Sequence, residues 1–111
     1  MHDLIQERQG LQRELNASIA DHREWGRKKA YAEYDYRVAL AKKLALLRVD
    51  GQPVTIVNDL ARGDEEIAML RLKRDLAISS YDSAQEAINN YKLQLRIIDG
   101  QIAREWNSND R

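Results

Sequence analysis

The side chains able to do chemistry are few. There is no cysteine, which excludes a thiol nucleophile, a thiolate zinc site and a disulfide framework. His2 and His22 are the two histidines, and neither has a second ligand at metal-binding spacing. A zinc helix uses His-Glu-x-x-His and a di-metal bundle uses Glu-x-x-His, because those spacings put ligands one turn apart on one face; neither string occurs. His22 falls instead on an apolar seam, where a partly buried structural histidine is expected. The acidic run Asp64-Glu65-Glu66 is explained by helix capping, since an N-cap aspartate and first-turn acids suit the positive end of the helix dipole. The phosphate-cradling Gly-x-x-x-x-Gly-Lys pattern is missing, and no serine lies in a Gly-x-Ser-x-Gly context. These residues predict a non-enzyme with no catalytic residue, no metal ligand and no cofactor.

Basic side chains interleaved with aromatics suit phosphate contact and base stacking. Residues 23–48 hold eight of them, Arg23, Arg27, Lys28, Lys29, Arg37, Lys42, Lys43 and Arg48, against Glu24, Glu33 and Asp35, a surplus of +5. Arg71, Lys73 and Arg74 would lie alongside in a hairpin. Arg23, Arg27, Lys28, Lys29, Lys42 and Lys43 are therefore the candidate nucleic-acid contacts. A solvated helix face, with Trp25 and Tyr36 in the core, explains the same residues more simply, so only weak binding is expected. Residues 55–74 faintly suggest a helix-turn-helix, but the would-be recognition helix opens with Asp64, Glu65 and Glu66, where repulsion from phosphate is worst. The formal net charge of zero gives no whole-molecule field to capture nucleic acid or acidic membrane.

Two long helices must carry these residues. The one cluster of breakers is Asp50-Gly51-Gln52-Pro53, with a second break at Gly63-Asp64. Pro53 is read as closing the first helix, Thr55 as the N-cap of a short helix, Gly63 as its left-handed C′ residue, and Asp64 as the cap of the second long helix. The predicted bounds are about 3–49, 55–62 and 64–106. Alternate steps of three and four from Ile67 reach Leu70, Arg74, Ala77, Tyr81, Ala84, Ile88, Tyr91, Leu95, Ile98, Ile102 and Glu105. Ten of these twelve are apolar or tyrosine, a regularity that selects coiled-coil-like packing. The first helix repeats it less cleanly through Leu4, Arg8, Leu11, Leu15, Ser18, His22, Trp25, Lys29, Ala32, Tyr36, Ala39, Lys43 and Leu46. Gly26 interrupts that row, which predicts a kink, a close helix contact or a weak point. Folding the seams together about Pro53 sets Leu46 near Ile67, Ala32 near Tyr81, Trp25 near Ile88, Leu15 near Ile98, Leu11 near Ile102 and Arg8 against Glu105.

A two-helix hairpin has a thin core, and apolar residues remain after the seams are paired. Tyr31, Tyr34, Val38, Ala41 and Ala45 form a second row on the first helix; Ala68, Leu72, Leu76, Leu93 and Ile97 flank the seam of the second. The short helix, through Val54, Ile56, Val57 and Leu60, covers only the upper part of a face about 65 Å long at 1.5 Å per residue. Tyr31, Tyr34, Val38, Ala41, Ala45, Leu72 and Leu76 are thus the candidate surface for self-association into a four-helix bundle, or for another partner. The fold class expected is all-α: an antiparallel hairpin of two long coiled-coil-like helices with a short connecting helix, dimerising into a four-helix bundle.

At 111 residues the chain is one domain at most, and its hydrophobic share of 43% is too high for a disordered chain. No signal peptide is expected, since residues 1–8 lack basic and apolar regions, and no apolar run approaches a membrane span. A cytoplasmic location follows as an expectation. Three strings then carry a likeness: Tyr34-Asp35-Tyr36-Arg37-Val38-Ala39-Leu40-Ala41; Gly51-Gln52-Pro53-Val54-Thr55-Ile56-Val57-Asn58-Asp59-Leu60-Ala61-Arg62-Gly63; and Tyr91-Lys92-Leu93-Gln94-Leu95-Arg96-Ile97-Ile98-Asp99-Gly100-Gln101-Ile102. With these the chain resembles small helical proteins of phages and prophages of Gram-positive bacteria, a likeness covering most of it beyond the first 30 residues. The resemblance implies an adaptor or accessory factor for a DNA replication or recombination complex, in the host cytoplasm, with a phage or host protein as partner. It assigns no catalytic or binding residue. A direct single-stranded nucleic-acid binder and an inhibitor docking on a host enzyme or defence protein are the alternatives.

Overall fold

A computed structural model describes residues 1–109, with the side chain of residue 109 left aside. Three helices make up the described chain: α1 at His2–Val49, α2 at Val54–Gly63 and α3 at Glu65–Asn109. No strand occurs among the described residues. The fold is all-α, a helical hairpin with a short helix in its connection.

Each helix end has an identifiable cause. Gly51, not Pro53, closes α1. It holds φ at +84°, its N–H donates to the Arg48 carbonyl and the Gln52 N–H donates to the Leu47 carbonyl. That pair of bonds is the Schellman arrangement, which satisfies carbonyls left over in the last turn and calls for a residue without Cβ. Pro53 serves instead as the N-cap of α2, so Thr55 lies inside the first turn rather than capping it. Gly63 is not left-handed; it is the last residue of α2, and the chain breaks at Asp64, whose φ of −63° and ψ of 133° are extended. Asp64 then caps α3 as expected, its carboxylate accepting the Ile67 N–H at 3.3 Å.

Two compact units divide the chain: Met1–Glu24 together with the residues from Asp82 onward, and Trp25–Tyr81. In the first, Leu15, Ile88 and Leu95 form a buried cluster against which Leu11 and Tyr91 pack. In the second, Ala32, Tyr36, Val57, Ala61, Ile67 and Ala77 are buried. The seams read from the sequence are the buried rows. All twelve α3 positions from Ile67 to Glu105 are buried or half-buried, and so are the α1 positions from Leu4 to Lys43. Leu46 departs from the row and is 59% exposed.

The pairing of the seams keeps Leu46 beside Ile67, which share a hollow as expected, and departs from expectation at Arg8. Arg8 pairs with Asp99 at 2.6 Å rather than with Glu105, and Lys43 reaches Asp64 at 3.2 Å. The offset is between one and two helical turns. The last turns of α1 meet both other helices: Leu44 and Arg48 line one hollow with Val54, Val57 and Asn58, and Leu46 lines another with Glu66 and Ile67. The short helix covers α1 through Val57 and Ala61, whereas Val54 is 74% exposed and Ile56 and Leu60 are also exposed. At Gly26 the helix continues unbroken, and the close-contact expectation is observed. A Cβ there would meet Tyr81 Cε2 at 3.3 Å.

Candidate functional site

The best-formed surface lies within the Trp25–Tyr81 unit. Ala32 on α1 and Ala77 on α3 are buried on facing seams and too small to fill the space between the helices. Larger neighbours stand on either side: Trp25 and Tyr31 from α1, Met69, Leu72 and Leu76 from α3. The result is an open groove of about 580 Å³ with an alanine floor and bulky apolar walls. Its walls are left uncovered by the chain. Tyr31 is 64% exposed, Met69 and Leu76 59% each, and Leu72 51%. Polar groups, Lys28 and Asp35 from α1 and Lys73 and Ser80 from α3, complete the lining. Next along α1, Tyr34 and Val38 line a second hollow with Asp35, Lys42 and Glu66.

The residues proposed from sequence for a partner surface are thus partly gathered. Tyr31, Leu72 and Leu76 share the main groove, and Tyr34 and Val38 share its neighbour. Val38 is half-buried; Ala41 and Ala45 are exposed and line neither hollow. Met69 was missed in the sequence, although Met69, Leu72 and Leu76 recur at the i, i+3, i+7 spacing of one helix face.

The proposed nucleic-acid contacts are largely committed elsewhere. The Lys28 ammonium lies 4.4 Å from the Trp25 ring centroid and Lys29 lies 4.2 Å from that of Tyr81, both cation–π distances. Lys43 pairs with Asp64, holding that carboxylate, with the stronger help of the Ile67 N–H, below the usual aspartate range. Arg27 borders a shallow hollow with Tyr31 and Tyr34. Lys42 is exposed, and Arg23, in the other unit, is exposed as well.

No group of three or more histidine or carboxylate side chains is placed to hold a metal ion among the described residues. No helix among them is long and apolar enough to cross a membrane. Fold and groove together define an all-α hairpin with an open apolar face. No family model matches this chain, and no curated protein or solved structure matches it either.

Proposed function

We propose that this chain is a non-enzymatic interaction protein that pairs with a second copy of itself through the groove face of the Trp25–Tyr81 unit. The uncovered apolar wall carries the reading. Tyr31, Tyr34, Met69, Leu72 and Leu76 are all more than half exposed. Together they leave on the order of 600 Å² of side chain in water, at the upper end of what a monomer tolerates and close to the roughly 800 Å² that each partner of a stable complex contributes. A two-fold interface sets one patch against itself, so its charges must be self-complementary. This lining carries both signs, with Asp35 on one helix to meet Lys73 on the other, while its second cation, Lys28, lies over the Trp25 ring. Sedimentation equilibrium at micromolar concentration is the test: a species of twice 12.9 kDa is expected, converted to monomer by Leu72→Glu with Leu76→Glu. A monomer at every concentration would overturn it.

The dimer is proposed to act as a phage-type adaptor or accessory factor for DNA replication or recombination in the host cytoplasm, a setting supported by the likeness of residues 34–41, 51–63 and 91–102. A tagged chain in infected cells should then co-purify a named replication or recombination protein. Failure there withdraws the adaptor role and leaves the dimer standing. Direct strand binding by Arg23, Arg27, Lys28 and Lys29 is disfavoured, because Lys28 and Lys29 already lie over aromatic rings.

A further inference from the structure

Arginines from all three helices meet around a different hollow of the same unit. Arg37 comes from α1, Arg62 from the last turn of α2, and Arg71 and Arg74 from α3. Glu33, Tyr36 and Leu40 complete the lining. Four guanidiniums against one carboxylate leave a surplus of three positive charges; Asp75, outside the lining, reduces it to two by pairing with Arg74 at 3.0 Å.

The arginines fall into two pairs with different tasks. Arg74 is held in place. It lies over the Tyr36 ring at 4.6 Å, donates to Glu33 at 3.3 Å and to Asp75 at 3.1 Å, and is mostly shielded from solvent. Arg37 gives its Nε to Glu33 at 2.6 Å, which fixes the guanidinium while leaving its terminal nitrogens available. Arg62 and Arg71 are exposed and have no ion-pair partner among the described residues. The negative end of the α2 dipole accounts for Arg62. It does not account for Arg71, nor for the convergence of both with Arg37.

We infer that this hollow is an anion site for a phosphoryl group, with Arg62 and Arg71 as its principal ligands and Arg37 as a third donor fixed by Glu33. Guanidinium forks match phosphoryl oxygens two at a time and are less strongly hydrated than ammonium, which suits arginine to this use. The hollow, about 300 Å³, holds on the order of ten waters at ~30 Å³ each, enough room for the group. The site is distinct from the apolar groove and does not rest on self-association. A phosphodiester strand and a small phosphorylated molecule present the same oxygens, and the experiment separates them.

The probes are sodium pyrophosphate, followed by isothermal titration calorimetry, and a labelled single-stranded oligonucleotide of mixed sequence, followed by fluorescence anisotropy, both at one fixed ionic strength. Arg62→Ala with Arg71→Ala is compared with Arg13→Ala plus Lys92→Ala, which removes the same charge from exposed positions outside this hollow. Saturable binding is expected, at least tenfold weaker in the Arg62/Arg71 double variant and nearly unchanged in the control one. Saturation by pyrophosphate identifies a small phosphorylated ligand; saturation by the oligonucleotide alone identifies a strand; either supports the site. Absence of saturation with both probes overturns it, as does equal weakening in the two double variants. Both arginines are exposed, and unchanged circular dichroism confirms that the variant is folded.

Discussion

Two glycines show how a single backbone angle decides the sign of a mutation. Gly51 sits at φ +84° in the Schellman turn, where an L residue brings its Cβ too close to the carbonyl oxygen. Gly63 is helical, and nothing lies within 4 Å of where its Cβ would be. Gly51→Ala should therefore cost about 1 kcal/mol or more, whereas Gly63→Ala should add up to about 1 kcal/mol by restricting the unfolded chain and favouring helix. Urea unfolding of the two variants checks both signs, and destabilisation by Gly63→Ala would sink the account. Residue types alone point the other way. Arg62-Gly63-Asp64 reads as a glycine C-cap followed by an N-cap, but the break is made by the extended backbone of Asp64 alone. The arginine hollow was equally hidden, because Arg37, Arg62 and Arg71 share no periodicity and meet only after three helices fold.

At the scale of the element, Asp64 joins two helices in one side chain. It accepts the Ile67 N–H at the start of α3 and the Lys43 ammonium from α1. Both interactions favour the carboxylate, and its pKa lies below the ordinary value with the Ile67 bond as the larger cause. The linkage sign follows. The contribution is complete above the unfolded-state value of about 3.9 and is lost as pH falls through the lower folded value. Asp64→Asn keeps an N-cap acceptor but does not titrate. Its Tm deficit should be largest near about pH 6 and shrink toward about pH 3, measured by thermal melts across that range; a deficit independent of pH would mean the charge is idle. Here the sequence was a good guide. A capping aspartate, first-turn acids and a seam repeating from Ile67 to Glu105 are local patterns, and local patterns survive folding. Pairing is not local. The residues around Arg8 do not say which α3 acid it meets, and in the structure that acid is Asp99 rather than Glu105.

For the whole molecule, the question is what covers the apolar walls. The sequence identified the surplus, since Tyr31, Tyr34, Leu72 and Leu76 lie off both seams. It did not show that buried alanines would open a groove between them, because the depth of a groove depends on which small residues face one another. If a second copy covers the face, folding and association are linked, and stability depends on protein concentration. A hundredfold rise in concentration adds about 2.7 kcal/mol per dimer, or roughly 1.4 kcal/mol per chain. At about 4 °C per kcal/mol, Tm should climb by roughly 5 °C. Leu72→Glu with Leu76→Glu places two carboxylates on a wall that must become dry, where an unpaired charge is costly. Both side chains are more than half exposed in the single chain, so the variant keeps its own core. Its Tm should be independent of concentration and equal to that of the parent at high dilution. A parent Tm that does not move over the hundredfold range would remove the second copy as the occupant of the groove. A variant that melts well below the diluted parent would show instead that Leu72 and Leu76 hold the hairpin itself together.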